Sequence, residues 1–188
     1  DLDGQLPSEN QHQMQLLRDR VYRMEKLINS LLEYSRVGRL KTSTETVNVS
    51  ELLTEVLDSL APPTGFRVEI ESEMPTLTTE RLLLSQVLAN LLSNAIKHHP
   101  RTEGYIKISV AEQGNYYQFA IADDGRGIPV EQHDRIFTIF QTLKASDKKE
   151  STGIGLAIVK KIVERQGGTI TLESQLGQGT TFCFTWPK

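Results

Sequence analysis

Six apolar residues, Met14, Leu17, Val21, Met24, Ile28 and Leu31, recur at alternating intervals of three and four, the spacing of a coiled-coil or helix-bundle seam. No other feature constrains the fold as much, because a helix over residues 8–37 is about 45 Å long and too narrowly amphipathic to be stable alone. It needs partner helices, either outside this sequence or in a second copy. Leu27, Leu32 and Tyr34 are expected to broaden the same stripe. Gly38 and the polar run 41–46 end the pattern. They divide the chain near residue 40 into a helical piece, 1–40, and a second unit, 41–188.

Beyond that boundary the period changes and strands alternate with helices. A strand is expected at 47–49, then a helix capped by Ser50 and stopped by Pro62-Pro63-Thr64-Gly65. Phe66, Val68 and Ile70 alternate as a strand, and Thr78 or Thr79 caps a long helix that ends at Pro100. Segments 105–111 and 116–122 form a hairpin across Gln113-Gly114-Asn115. A short helix near 131–136, a polar segment 144–152, a helix over 155–166 and strands at 169–174 and 180–185 complete the order. Helices between antiparallel strands describe an α+β chain, a two-layer α/β sandwich with helices on one face of a sheet.

With 188 residues, 38% hydrophobic and 24% charged, the chain has enough apolar material for its own core, which excludes the disordered and membrane-embedded classes. The net charge of −3 argues against a dedicated nucleic-acid binder. Cys183 is the one cysteine, so an intrachain disulfide is excluded and the thiol reads as sheet filling. The opening Asp1-Leu2-Asp3-Gly4 has neither a methionine nor a signal-peptide pattern. The chain therefore reads as the interior of a longer protein, with any membrane association supplied by segments not present here.

Three features exceed what a bland core requires. On the helix ending at Pro100, Gln86, Asn90, Asn94 and Lys97 share one stripe beside a wide apolar arc. Carboxamides there must face solvent or a polar ligand. His98-His99 is poorly spaced for a metal, and histidines near a helix C-terminus serve as dipole partners. Next, Asp123-Asp124-Gly125-Arg126-Gly127-Ile128-Pro129 sends a strand into an acidic pair followed by two glycines, an arrangement also open to an ordinary turn. Third, in Thr152-Gly153-Ile154-Gly155-Leu156 the glycines precede a helix whose first amides suit a phosphate. The Lys-Ser pair of a P-loop and the third small residue of a dinucleotide fingerprint are both missing.

In this combination the chain resembles the sensor histidine kinases of two-component signalling. QVLANLLSNAIKHHP (86–100) is similar to their asparagine box, DDGRGIP (123–129) and TGIGLAIV (152–159) to their two glycine boxes, and IFTIF (136–140) to their phenylalanine box. Residues 23–36 resemble the second helix of the dimerisation and phosphotransfer domain. Phe140-Gln141-Thr142-Leu143-Lys144 resembles the lid variant of phytochrome-like and PAS-linked kinases.

The resemblance implies a Bergerat-type ATP-binding fold, shared with gyrase, Hsp90 and MutL, using ATP and Mg2+. By position, Asn94 would hold magnesium, while Asn90 and Lys97, the catalytic pair, would support the ion and phosphates. Asp123 would accept the adenine amine, with Gly125, Gly127 and Ile128 passing close to the base and His98 beside the nucleotide. Thr152, Gly153, Ile154, Gly155 and Leu156 would meet the phosphates. Phe137 and Phe140 would anchor a lid over about 141–152, from which Lys144, Lys148 or Lys149 would approach the γ-phosphate.

The resemblance further implies a cytoplasmic unit, a homodimer through the N-terminal helix, and a response regulator or phosphotransfer protein as partner, with ATP and ADP as ligands. The phosphoacceptor motif is absent, since His12 has neither an acidic neighbour nor a following proline. The acceptor histidine is therefore expected outside this chain, and the chain alone should not phosphorylate itself. Asn90 stands where hydrolytic members of the fold carry a glutamate base, which disfavours simple ATP hydrolysis. A nucleotide sensor or dimerisation scaffold without catalysis is the non-enzymatic alternative.

Overall fold

The computed structural model describes residues 8–37, 43–71, 73–141 and 152–188, with side chains from residue 10 onward. Helix α1 (Ser8–Arg36) comes first. Strand β1 (Glu45–Asn48) pairs antiparallel with β3 (Thr76–Thr79), forming a two-stranded ribbon around α2 (Val49–Leu60) and β2 (Gly65–Ile70). After α3 (Arg81–Lys97) come β4 (Glu103–Gln113), β5 (Tyr116–Asp123), a 3-10 turn at Val130–Gln132, α4 (Gly155–Arg165), β6 (Ile170–Ser174) and β7 (Thr180–Pro187). The main sheet runs β2-β4-β5-β7-β6. Its pairs are antiparallel except β2–β4, which is parallel.

Alternation along the strands sends one set of side chains to the helices. Ile106, Ile108, Phe119, Ile121, Phe182, Phe184 and Trp186 are all buried, facing Leu84, Leu88, Leu91 and Leu92 of α3 and Ile158, Val159 and Ile162 of α4. Phe119 stacks on Phe184 at 5.1 Å between ring centroids. Trp186 donates its indole N–H to Thr79 Oγ1 at 2.9 Å, satisfying its polar edge inside the core.

Several local expectations are corrected. The cap of α2 is Asn48, whose Oδ1 accepts from the amides of Ser50 and Glu51, and not Ser50. Thr76–Thr79 is a strand, and Thr79 is consumed by Trp186, so α3 starts after Glu80 with no side-chain cap. Instead of a helix at 131–136 there is one 3-10 turn, and His133 Nε2 meets the carbonyl of Ile128 just before it at 2.9 Å. Leu27 and Tyr34 do not widen the α1 seam. They face the core, while Val21, Met24, Ile28 and Leu31 are 45–64% exposed. The expected boundary near residue 40 falls within 38–42, outside the described residues.

Candidate functional site

A cleft of about 580 Å³ opens where α3, α4, the end of β5 and α1 converge, a size that suits a small-molecule ligand. The buried arc of α3 faces the sheet, which turns Asn90, Ser93, Asn94 and Lys97 toward the cleft. Asn90 Nδ2 donates to the carbonyl of Gln86 at 2.8 Å, fixing which end of the carboxamide points away from its own helix. That end faces α4. A Cβ on Gly155 would stand 2.7 Å from Asn90 Oδ1, so any larger residue there would push the Asn90 carboxamide aside. The position preceding α4 is Ile154, with no side-chain cap, so the first amides of α4 have no partner from a cap side chain. Thr152, Gly153, Gly155 and Leu156 border the cleft at that helix start.

At the other end of the cleft, consecutive carboxylates have different tasks. Asp123, at the end of β5 opposite Thr180 of β7, lines the cleft and accepts the Gly125 amide at 2.9 Å. Burial pushes its carboxyl above the usual range, outweighing the backbone donors and nearby His99. Asp124 points the opposite way. Its Oδ1 meets the Tyr105 amide at 2.7 Å and His99 Nε2 at 3.0 Å, and its Oδ2 meets Arg101 at 2.9 Å. Burial works against the charge here too, but the Tyr105 amide, His99 and Arg101 outweigh it and hold the Asp124 carboxyl below its ordinary range. The His99 ring is fully buried and meets Phe66 edge-on at 5.3 Å. Asp124 is thus a fastener, whereas Asp123 borders the cleft.

Gly127 holds φ at +71°, and a Cβ there would lie 2.0 Å from the Gln175 carbonyl oxygen. The loop therefore packs tightly onto the β6–β7 turn, where the Gly177 amide donates to Arg126 at 2.6 Å. The lining carries four cations, Lys26, Lys97, Arg126 and Arg135, against two carboxylates, Glu33 and Asp123. In a chain of net charge −3, that local excess of positive charge suits a polyanion.

Residues 79–188 match the family described as Histidine kinase-, DNA gyrase B-, and HSP90-like ATPase. The chain belongs to this family. Among similar members, cyanobacterial phytochrome B of Nostoc sp. is 38% identical over 168 residues, covering 87% of this chain and 22% of that protein. Sensor histidine kinase ZraS of Escherichia coli is 33% identical over 182 residues, covering 94% of this chain and 38% of that protein. The crystal structure of full-length ShkA in complex with AMPPNP superposes with a TM-score of 0.76 at 27% identity, covering 99% of this chain and 40% of that one. The ATPase-family chain is thus homologous to sensor histidine kinases of two-component systems, and it spans well under half the length of these relatives.

Within this ATPase-family fold, the structure brings Asn90, Asn94, Lys97, His98, Asp123, Gly127, Ile128, Thr152, Gly153, Gly155 and Leu156 to one cleft. Gly125 is buried behind Asp123, and Ile154 is buried in the core, so neither lines it. Phe137 packs edge-on against Phe182 at 6.3 Å, and Phe140 is exposed with its amide bonded to Gly153 O at 2.9 Å. Lys144, Lys148 and Lys149 lie outside the described residues. Sequence reading did not single out Lys26, Arg126, Arg135 or Thr180, all of which line the cleft. Among these, the alternation of β7 alone could have flagged Thr180.

Proposed function

We propose that this chain is the ATP-binding catalytic part of a sensor histidine kinase, residues 41–188, preceded in 1–40 by a helix of a dimerisation and phosphotransfer domain. The observation that carries this reading is one cleft that joins a half-buried aspartate at the end of β5 to a carboxamide-lysine stripe and a helix start. Asp123 accepts the adenine amine. Lys97 and the first amides of α4 take the phosphates, and Asn90 orients them from one turn earlier. The AMPPNP complex of the ShkA relative supports an adenine nucleotide in the cleft.

Magnesium fits this donor set. Asn94 and Asn90 present neutral carboxamide groups at the cleft, and a hard cation of this kind is commonly shared between one or two protein oxygens and ligand phosphates. When bound it would neutralise charge on the phosphates. The chain's own residues position the nucleotide.

The reaction we assign is transfer of the γ-phosphoryl group to an imidazole nitrogen. The β–γ P–O bond breaks, a P–N bond forms and ADP leaves. Phosphoryl transfer of this kind needs positioning and charge neutralisation more than a protein nucleophile, and the cleft is rich in the former. We place the acceptor histidine outside this chain, because His12 lies on an exposed stretch of α1 with no acidic neighbour in sequence. A second copy pairing through the α1 seam, a response regulator or phosphotransfer protein as recipient, and a cytoplasmic setting complete the proposal. Among the described residues no helix is long and apolar enough to cross a membrane.

Incubation with γ-labelled ATP and magnesium, alone and with an acceptor fragment carrying the histidine helix of the parent protein, tests the assignment. Acid-labile, base-stable label should appear on the acceptor and not on this chain. Strong label on this chain alone, or no nucleotide binding, overturns it.

A further inference from the structure

Helix α1 has a docked face as well as an exposed one. Leu27 and Tyr34 pack on the core, and Val37, just past the helix end, is buried. On the same side Lys26, Ser30 and Glu33, spaced four and three, form one wall of the cleft. This wall is held by a polar clamp near the helix end. Lys161 of α4 donates its ammonium to the carbonyl of Tyr34 at 2.8 Å and lies 4.2 Å from the centre of the Tyr34 ring. The final four carbonyls of a helix lack intrahelical donors. Val37 serves Glu33 at 3.1 Å, and Lys161 serves the next one. Its charge also sits at the negative end of the α1 dipole. The neighbouring Lys160 is turned elsewhere, 3.8 Å from Glu164 and over the Phe137 ring.

We infer that Lys161 is a positioning residue that latches α1 onto α4 and thereby sets how freely a ligand enters and leaves the cleft. The latch itself stands on the contacts above, and its consequence for nucleotide rests on the function proposed for the cleft. Helix α4 carries Gly155 and Leu156 at the cleft and Lys161 under α1, so one rigid element touches both the ligand site and the N-terminal helix. Releasing α1 removes the wall formed by Lys26, Ser30 and Glu33. A wall impedes passage in both directions, so its loss should raise the association and dissociation rates together and change the affinity little.

The test uses the full chain as wild type, Lys161→Met, Lys161→Arg and Lys160→Met. Two measurements are made on each, amide hydrogen exchange across 34–37 and stopped-flow binding and release of a fluorescent ATP analogue with magnesium. A hydrogen bond from a charged donor corresponds to roughly a 10–100-fold change in a docking equilibrium. Lys161→Met should therefore speed exchange across 34–37 by about tenfold or more and raise both nucleotide rates several-fold. Lys161→Arg should recover most of each effect, and Lys160→Met should leave both unchanged. Unaltered exchange in Lys161→Met overturns the latch. Faster exchange with unchanged nucleotide rates overturns its control of the cleft. A wild-type chain that binds no nucleotide refutes the function proposed above, while the exchange data still decide the latch.

Discussion

The two ends of the cleft are built by different means. At the β5 end, the carboxylates are tied to backbone amides of the sheet and its first loop, Asp123 by Gly125 and Asp124 by Tyr105, with buried His99 behind them. At the α1 end, the walls are side chains from separate helices, joined by Lys161 and the packing of Leu27 and Tyr34. The first end is preorganised by hydrogen bonds from amides of the sheet and its loop, so its shape persists as long as the unit is folded. The second depends on the docking of α1 against α4. In the function and latch proposed above, recognition of a ligand belongs to the fixed end, and control of access to the end that is assembled from separate helices.

The largest effect is expected from Asp123→Ala, which removes the ligand-facing carboxylate and leaves the Asp124 fastening intact. ATP affinity should fall about 10–100-fold by calorimetric titration, with an unchanged circular dichroism spectrum. Wild type should also prefer ATP to GTP, and equal affinities would remove the distinction between the two aspartates. Asp124→Ala should do the reverse. It strands the Tyr105 amide and His99 and should cost about 1–2 kcal/mol of stability, read as a lowered denaturant midpoint, with a smaller change in affinity at 25 °C.

Asn94→Ala should weaken magnesium-ATP binding about tenfold with stability within about 0.5 kcal/mol of wild type. Unchanged affinity would leave the α3 stripe as a solvated face. A smaller and more diagnostic effect lies in pH. The lowered Asp124 carboxyl contributes stability that is present above its ordinary value and lost as pH falls through its folded value. The raised Asp123 carboxyl acts oppositely, its contribution being present below the ordinary value and lost as pH rises through the folded one. Asp123→Asn should therefore steepen the loss of stability on acidification, and Asp124→Asn should flatten it, in urea titrations between about pH 3 and 6. The smallest stability effect belongs to the α1 seam. Ile28→Asp should change unfolding by less than about 0.5 kcal/mol yet weaken self-association in an ultracentrifuge concentration series, because Ile28 is 55% exposed in the single chain.

The sequence carried the helices of the fold plainly, since α1, α3 and α4 each begin and end within three residues of what their periodicity and flanking residues predict. It hid β3, because Thr76-Leu77-Thr78-Thr79 is short and reads equally as a helix cap until Trp186, more than a hundred residues later, claims the Thr79 hydroxyl. The site divides in the same way. That Asn90, Asn94 and Lys97 share a helix face was visible by spacing, which left a solvated face as an equal alternative. The different fates of Asp123 and Asp124 were not, because His99, Arg101 and Tyr105 come from other elements and only the folded sheet brings them to one carboxylate and not the other. Leu27 and Tyr34 departed from the expected broadening of the seam for a related reason. A stripe pattern identifies apolar residues on a helix but cannot say which of two neighbouring faces α4 will cover.

The place of β7 in the sheet bears on how the protein is made. Strand β7 lies between β5 and β6, and among the described residues β6 has no other neighbour in the sheet, while β7 supplies Phe182, Phe184 and Trp186 to the core. During synthesis from the N-terminus, β6 therefore leaves the ribosome with nothing to pair with, and Thr79 waits for the indole that closes over it. Native packing of the ATP-binding unit must be completed after residues 180–187 have cleared the exit tunnel, and a nascent chain stalled a few codons earlier should be captured by chaperones or cut by proteases. In the cell, the emergence of β7 would commit the whole unit to its folded state.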